Sequence, residues 1–267
     1  MQTNIEKTKT RTLVYSLLGS GLAVLVANAF GKDTATVVTD FLNVSLSGLL
    51  LVLSITITVK NRIDGNHGKA YLMFTAFAIS WFIAEVIWFI SEIIYHLSPF
   101  PQEAEWCYLV GYPFLLLFSM YYLKPFKIAI QKKVYWYAFL TSMTFLIPTL
   151  YTTYSYNPNS DFTQILWAAL YPTADAVMLF PAVLGMVLFF RGKVGLLWSL
   201  AFLAIILNII ADSGFLFLDV DKSYYTGNPI DILYLWAYIL FTFGIYSHIE
   251  MFKSPKKKSF GDLEDLK

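Results

Sequence analysis

Eight apolar runs constrain this chain more than any other feature, at about residues 12–30, 40–59, 70–95, 105–123, 134–154, 164–190, 194–218 and 230–250. Each approaches or exceeds the roughly 20 residues a helix needs to cross about 30 Å of hydrocarbon. In lipid the backbone must satisfy its own hydrogen bonds, and consecutive runs of this length do so as helices. Composition agrees, since 57% hydrophobic and 14% charged residues cannot coat a water-soluble globule of 267 residues. The expected fold class is an all-α integral membrane protein with eight transmembrane helices. One transmembrane domain covers residues 1–252, and a charged tail covers 253–267.

Charge orders the runs across the bilayer. With the N-terminus in the cytoplasm, the cytoplasmic segments hold Lys7, Lys9, Arg11, Lys60, Arg62, Lys69, Lys124, Lys127, Lys132, Lys133, Arg191, Lys193, Lys253, Lys256, Lys257, Lys258 and Lys267. The outer loops keep Lys32 and Lys222, so 17 of 19 basic residues lie inside. This positive-inside bias predicts a multi-pass protein of the plasma membrane with both termini cytoplasmic. Those basic groups would face lipid headgroups, which makes the bilayer the expected partner, and no nucleic-acid partner is expected. The first run, with its basic start and Ala27-Asn28-Ala29, also has the form of a signal peptide. It is read here as a retained span.

The chain repeats itself. IAEVIWFISE at 83–92 aligns with IADSGFLFLD at 210–219, and EWCYLVGY at 105–112 with DILYLWAY at 231–238. TDFLNVSLSGLLLV from Thr39 lies more loosely on ADAVMLFPAVLGMV from Ala174, pairing Asp40 with Asp175. Halves at about 12–125 and 134–252 would each hold four spans and so share one orientation. The reading is a 4+4 parallel repeat with a pseudo-twofold axis along the membrane normal.

That repeat places acids in matched positions. Trp81, Glu85, Trp88 and Glu92 share one helix face, and Asn208, Asp212, Phe215 and Asp219 repeat the stripe. Glu105 and Asp231 follow prolines and read as helix-start acids, Asp40 likewise, while Glu92 and Asp219 read as solvated ends. Glu85, Asp175 and Asp212 lie inside spans, where an ionisable residue costs roughly 2.5–3.5 kcal/mol and must face the bundle interior. Interhelical glue and a ligand, cation or proton site both fit them. The candidate ligand-binding set is Glu85, Asp212, Asp175, Trp88, Tyr112 and Tyr238; a metal, if bound, would use Glu85, Glu92, Asp212 and Asp219.

Other chemistries lack their residues. His67, His96 and His248 are too scattered for a metal pair or a triad, and the single Cys107 excludes an intramolecular disulfide. No Gly-rich phosphate loop, GxSxG or HExxH occurs. The last spans hold no lysine for a retinal Schiff base, and no cofactor is expected.

DILYLWAYILFTFGIY at 231–246, preceded by a span carrying an AD or AE pair, resembles the multi-span sensor regions N-terminal to histidine kinase or diguanylate cyclase domains in archaeal and bacterial signalling proteins. The resemblance spans most of residues 40–250, and only KSPKKKSFGDLEDLK follows Phe252. It implies signal transduction by a stand-alone sensor or adaptor, or by a piece cut after its membrane part. The expected function is a sensing or protein-interaction module with an acidic, aromatic outer-leaflet pocket. It would act with a cytoplasmic signalling protein or other membrane subunits. An accessory subunit of a larger membrane complex is the alternative. A transporter of cations or small molecules, or an intramembrane enzyme, ranks third, because no nucleophile accompanies the acids.

Overall fold

The computed structural model describes residues 2–61, 63–97, 103–156, 162–189 and 195–253. Arg62, Arg191, Lys193 and the tail beyond residue 253, all part of the charge and domain reading, lie outside them. Every regular element among the described residues is helical. The long helices are α1 (Gln2–Ala29), α2 (Lys32–Asn61), α3 (Gly65–Phe89), α4 (Glu103–Leu123), α5 (Lys132–Tyr156), α6 (Phe162–Phe189), α7 (Gly195–Val220) and α8 (Ile232–Lys253). A π turn, Ile90–Ile94, continues α3, and 3₁₀ turns follow α4 at Lys124–Ala129 and precede α8 at Pro229–Asp231.

Seven of the eight are long and apolar enough to cross a membrane. The remaining one, α5, has the length, 25 residues, but is rich in hydroxyls. Those hydroxyls fold back on their own helix, as Thr141 does on the Tyr137 carbonyl, Thr149 on that of Phe145 and Thr153 on that of Thr149. Such back-bonding satisfies a polar group that a hydropathy scale counts as exposed.

Neighbouring helices close a ring in the order α2, α3, α4, α6, α7, α8 and back to α2. Helix α1 lodges against α2 and α8, and α5 packs on α6. Large apolar residues such as Leu18, Leu22, Val52, Leu140 and Ile147 stay exposed on the rim, a surface better suited to lipid tails than to water. Close helix approach is built into α4: a Cβ on Gly111 would lie 2.3 Å from the Trp81 indole nitrogen, so only glycine admits that ring.

Mid-bundle, the ring is filled by Phe74, Phe77, Phe118 and Phe241, which are no more than 1% exposed. They meet edge-on or tilted at centroid distances of 4.9–5.5 Å, an arrangement that suits the aromatic quadrupole. Below this layer Tyr71 and His248 are hydrogen-bonded to each other. Above it lies the acidic end.

Candidate functional site

The period of α3 sets one wall of the acidic end. Phe77, Trp81, Glu85 and Trp88 climb the face turned into the ring, so the stripe leads from the phenylalanine layer into polar ground. Glu85 is buried and accepts from the Tyr238 hydroxyl of α8 at 2.6 Å. Tyr108 of α4 also hydrogen-bonds it.

Opposite Glu85 stands a second centre. The Tyr112 hydroxyl of α4 lies 2.8 Å from Asp175 Oδ1 of α6 and 2.7 Å from Asp212 Oδ2 of α7. Asp212 is partly buried and also accepts from Tyr234 of α8 at 2.7 Å and from Asn208 at 2.9 Å. Asp175 is 1% exposed and touches Asp212 carboxyl to carboxyl. Donor counting makes this centre unusual. A phenol has one proton, yet the Tyr112 oxygen is within hydrogen-bonding distance of two carboxyls that also contact each other. Satisfying every contact requires a further proton on a carboxyl, or a cation among them.

An outer deck covers both centres. Glu92 accepts from the Trp88 indole at 3.0 Å and from the Thr226 hydroxyl at 2.6 Å. Asp231 takes the Gly227 amide at 2.7 Å and the Tyr224 hydroxyl at 3.2 Å. Burial, reinforced by the neighbouring Asp231 charge, pushes the Tyr224 phenol well above its ordinary value and keeps it a donor. The segment that supplies these donors is pinned from the other side. Asn28 donates to the Gly227 carbonyl at 2.7 Å and receives the Tyr225 hydroxyl at 2.6 Å, while Thr36 donates to the Thr226 carbonyl at 2.7 Å. Gly227 has φ +95°, and a Cβ there would sit 2.6 Å from the Ala35 carbonyl carbon. Only glycine permits this approach.

All six sequence-derived ligand candidates thus join the acidic end: Glu85 with Tyr238, Asp175 and Asp212 with Tyr112, and Trp88 with Glu92. Acids read as helix starts or solvated ends behave differently. Helix α2 begins at Lys32, so Asp40 is two turns inside it and 2% exposed rather than at its start. Glu105 does lie in the first turn of α4, but it is buried and receives the Tyr171 hydroxyl of α6. Asp231 occupies its 3₁₀ turn and is likewise buried. Glu92 is held by side chains rather than left to water. In each case the neighbouring helix or the 221–228 segment roofs over a position that looks terminal along the chain.

Among the described residues no three His, Cys, Asp or Glu side chains gather tightly enough to hold a metal ion. Three buried oxygens on one stretch of α2, Thr39 Oγ1, Asp40 Oδ2 and Asn43 Oδ1, have no hydrogen-bond partner. Sequence reasoning passed over Tyr108, Tyr234 and Thr226 as ligands of the acids. The first two were visible, because aligning EWCYLVGY with DILYLWAY places Tyr108 on Tyr234 as well as Tyr112 on Tyr238. Thr226 depends on the 221–228 segment folding over Glu92, which sequence does not reveal.

Compared with protein-family models, curated proteins and solved structures, the chain matches none significantly.

Proposed function

We propose that this protein is a membrane-embedded sensing module that detects a small cation, the proton included, at its outer acidic end and conveys the change to the cytoplasm through α8. It spans the plasma membrane eight times, α5 included, as a 4+4 parallel repeat with both termini inside. The hydrogen bonds support that repeat by crossing between the halves in matched pairs. Tyr112 of the first half reaches Asp212 of the second, and Tyr238 of the second reaches Glu85 of the first. Within the halves, Tyr234 meets Asp212 as Tyr108 meets Glu85. Rotating the helix ring by three places carries α2, α3 and α4 onto α6, α7 and α8, and turns the α2–α8 contact into the α4–α6 contact.

The observation that carries the sensing reading is the shared Tyr112 hydroxyl. One phenolic proton serves two carboxyls on two helices, so gain or loss of a proton or cation must redistribute bonds among α4, α6, α7 and α8. The three unpartnered oxygens at Thr39, Asp40 and Asn43 suit a hard cation, for which oxygen is the preferred ligand. Helix α8 carries Tyr234 and Tyr238 at this end and runs on to Lys253, giving the network one continuous rod to the opposite face. Sensing is favoured over conduction because Phe74, Phe77, Phe118 and Phe241 fill the ring between the acids and the Tyr71–His248 pair.

The test uses the purified full chain in nanodiscs, with tryptophan fluorescence followed as pH or NaCl is varied and hydrogen exchange measured at the far end of α8. The parent should show a transition in both signals over one range. Glu85→Gln and Asp212→Asn should insert normally and lose or displace it. Variants that titrate like the parent would remove the acid network from any sensing role.

A further inference from the structure

A groove of about 740 Å³ opens on the flank of the bundle between α4, α5 and α6, and none of the acids lines it. Its volume lies within the range of ligand sites, roughly 300–1,000 Å³. The walls are apolar, with Leu117 and Met120 on α4, Phe139 and Met143 on α5, and Val177 and Phe180 on α6. Charge is concentrated at one end, where Lys124 and Lys127 stand exposed beside Tyr121 and Tyr135. The wall along α5 runs from Tyr135 to Leu146. Eleven steps at 1.5 Å make about 16 Å, close to one leaflet of a hydrocarbon core about 30 Å thick.

The helix ring explains why space is left here. Helix α1 fills the notch beside α8 and touches both α2 and α8, whereas α5 packs on α6 and makes no comparable contact with α4. The groove occupies the place of that missing contact. A cationic mouth over an apolar trench one leaflet deep has the shape and charge of a lipid site.

We propose that the α4–α5–α6 groove binds one anionic phospholipid, its phosphate at Lys124 and Lys127 and an acyl chain along α5. In the proposed orientation the lysine end faces the cytoplasm, so the lipid belongs to the inner leaflet. A second copy of this chain is the weaker occupant, because a copy in the same orientation brings its own basic segments to the same level and meets the lysines with like charge. The inference is independent of the acidic end.

The test is native mass spectrometry of the full chain released from detergent after titration with phosphatidylglycerol or phosphatidylcholine. The parent should retain one phosphatidylglycerol in preference to phosphatidylcholine. Lys124→Ala with Lys127→Ala should weaken phosphatidylglycerol retention about thirtyfold, from roughly a fivefold contribution per lysine near an anionic headgroup, and leave phosphatidylcholine unchanged. Met143→Trp, which narrows the trench and keeps both lysines, should reduce retention of both lipids. Equal retention of the two lipids by the parent would overturn the proposal. So would undiminished phosphatidylglycerol binding by the double variant, or a dimer cross-linked through cysteines placed at Met120 and Phe139.

Discussion

Replacing Tyr112 by Phe removes one oxygen and keeps the ring, and the structure indicates how much that oxygen matters. Asp175 is 1% exposed, and its hydrogen-bonding contacts are the Tyr112 hydroxyl and the Asp212 carboxyl. Without the phenol, a buried carboxyl is left facing another carboxyl. Leaving a buried polar group unsatisfied costs about 1–3 kcal/mol, above the ~0.6 kcal/mol average for an interhelical hydrogen bond in a membrane protein. A loss of about 2 kcal/mol is therefore expected. Tyr238→Phe is the internal control, because Glu85 keeps Tyr108 when Tyr238 is lost. It should stay near the ~0.6 kcal/mol of an ordinary membrane bond. Reversible unfolding in mixed micelles with increasing SDS, followed by circular dichroism, measures both. Combining Tyr112→Phe with Asp175→Ala should cost less than the two single losses added, by about 1–2 kcal/mol, since the orphaned group goes with its partner. Equal losses for the two phenylalanine variants, or additivity in the double variant, would refute the shared-proton centre.

Other expectations follow from close contacts and from topology. Gly111→Ala places a methyl 2.3 Å from the Trp81 indole and should cost about 1–3 kcal/mol by overpacking, read in the same unfolding assay. Gly227→Ala meets both a positive φ and the Ala35 backbone, so the 221–228 segment should leave its seat. Limited proteolysis there should speed up several-fold while the helical signal is kept. With Cys107 changed to Ser, single cysteines at Lys132 and Tyr154 should label from opposite sides of the membrane. Labelling of both from one side would leave α5 uncrossed and rule out the eight-span topology.

Lone residues show how far the sequence reached. Glu85, Asp175 and Asp212 were legible as interior groups because an acid in an apolar run has no tolerable place but the bundle core, whatever the neighbours are. Glu105 and Asp231 do start their helical elements as read, whereas Asp40 lies two turns inside α2; the burial of all three was not legible, because a position at the edge of a run looks wet along the chain. Whether water reaches it is decided by helices far away in sequence, such as α6 supplying Tyr171 to Glu105.

Apolar run length and the spacing of IAEV and IADS are local properties, and an apolar surround converts them almost directly into long helices and inward-facing acids. The order of helices around the ring is not local. It follows from which side chains fill one another's gaps, such as Trp81 against Gly111, and only the folded packing could bring one hydroxyl between two carboxyls or hold α5 off α4 to leave a trench.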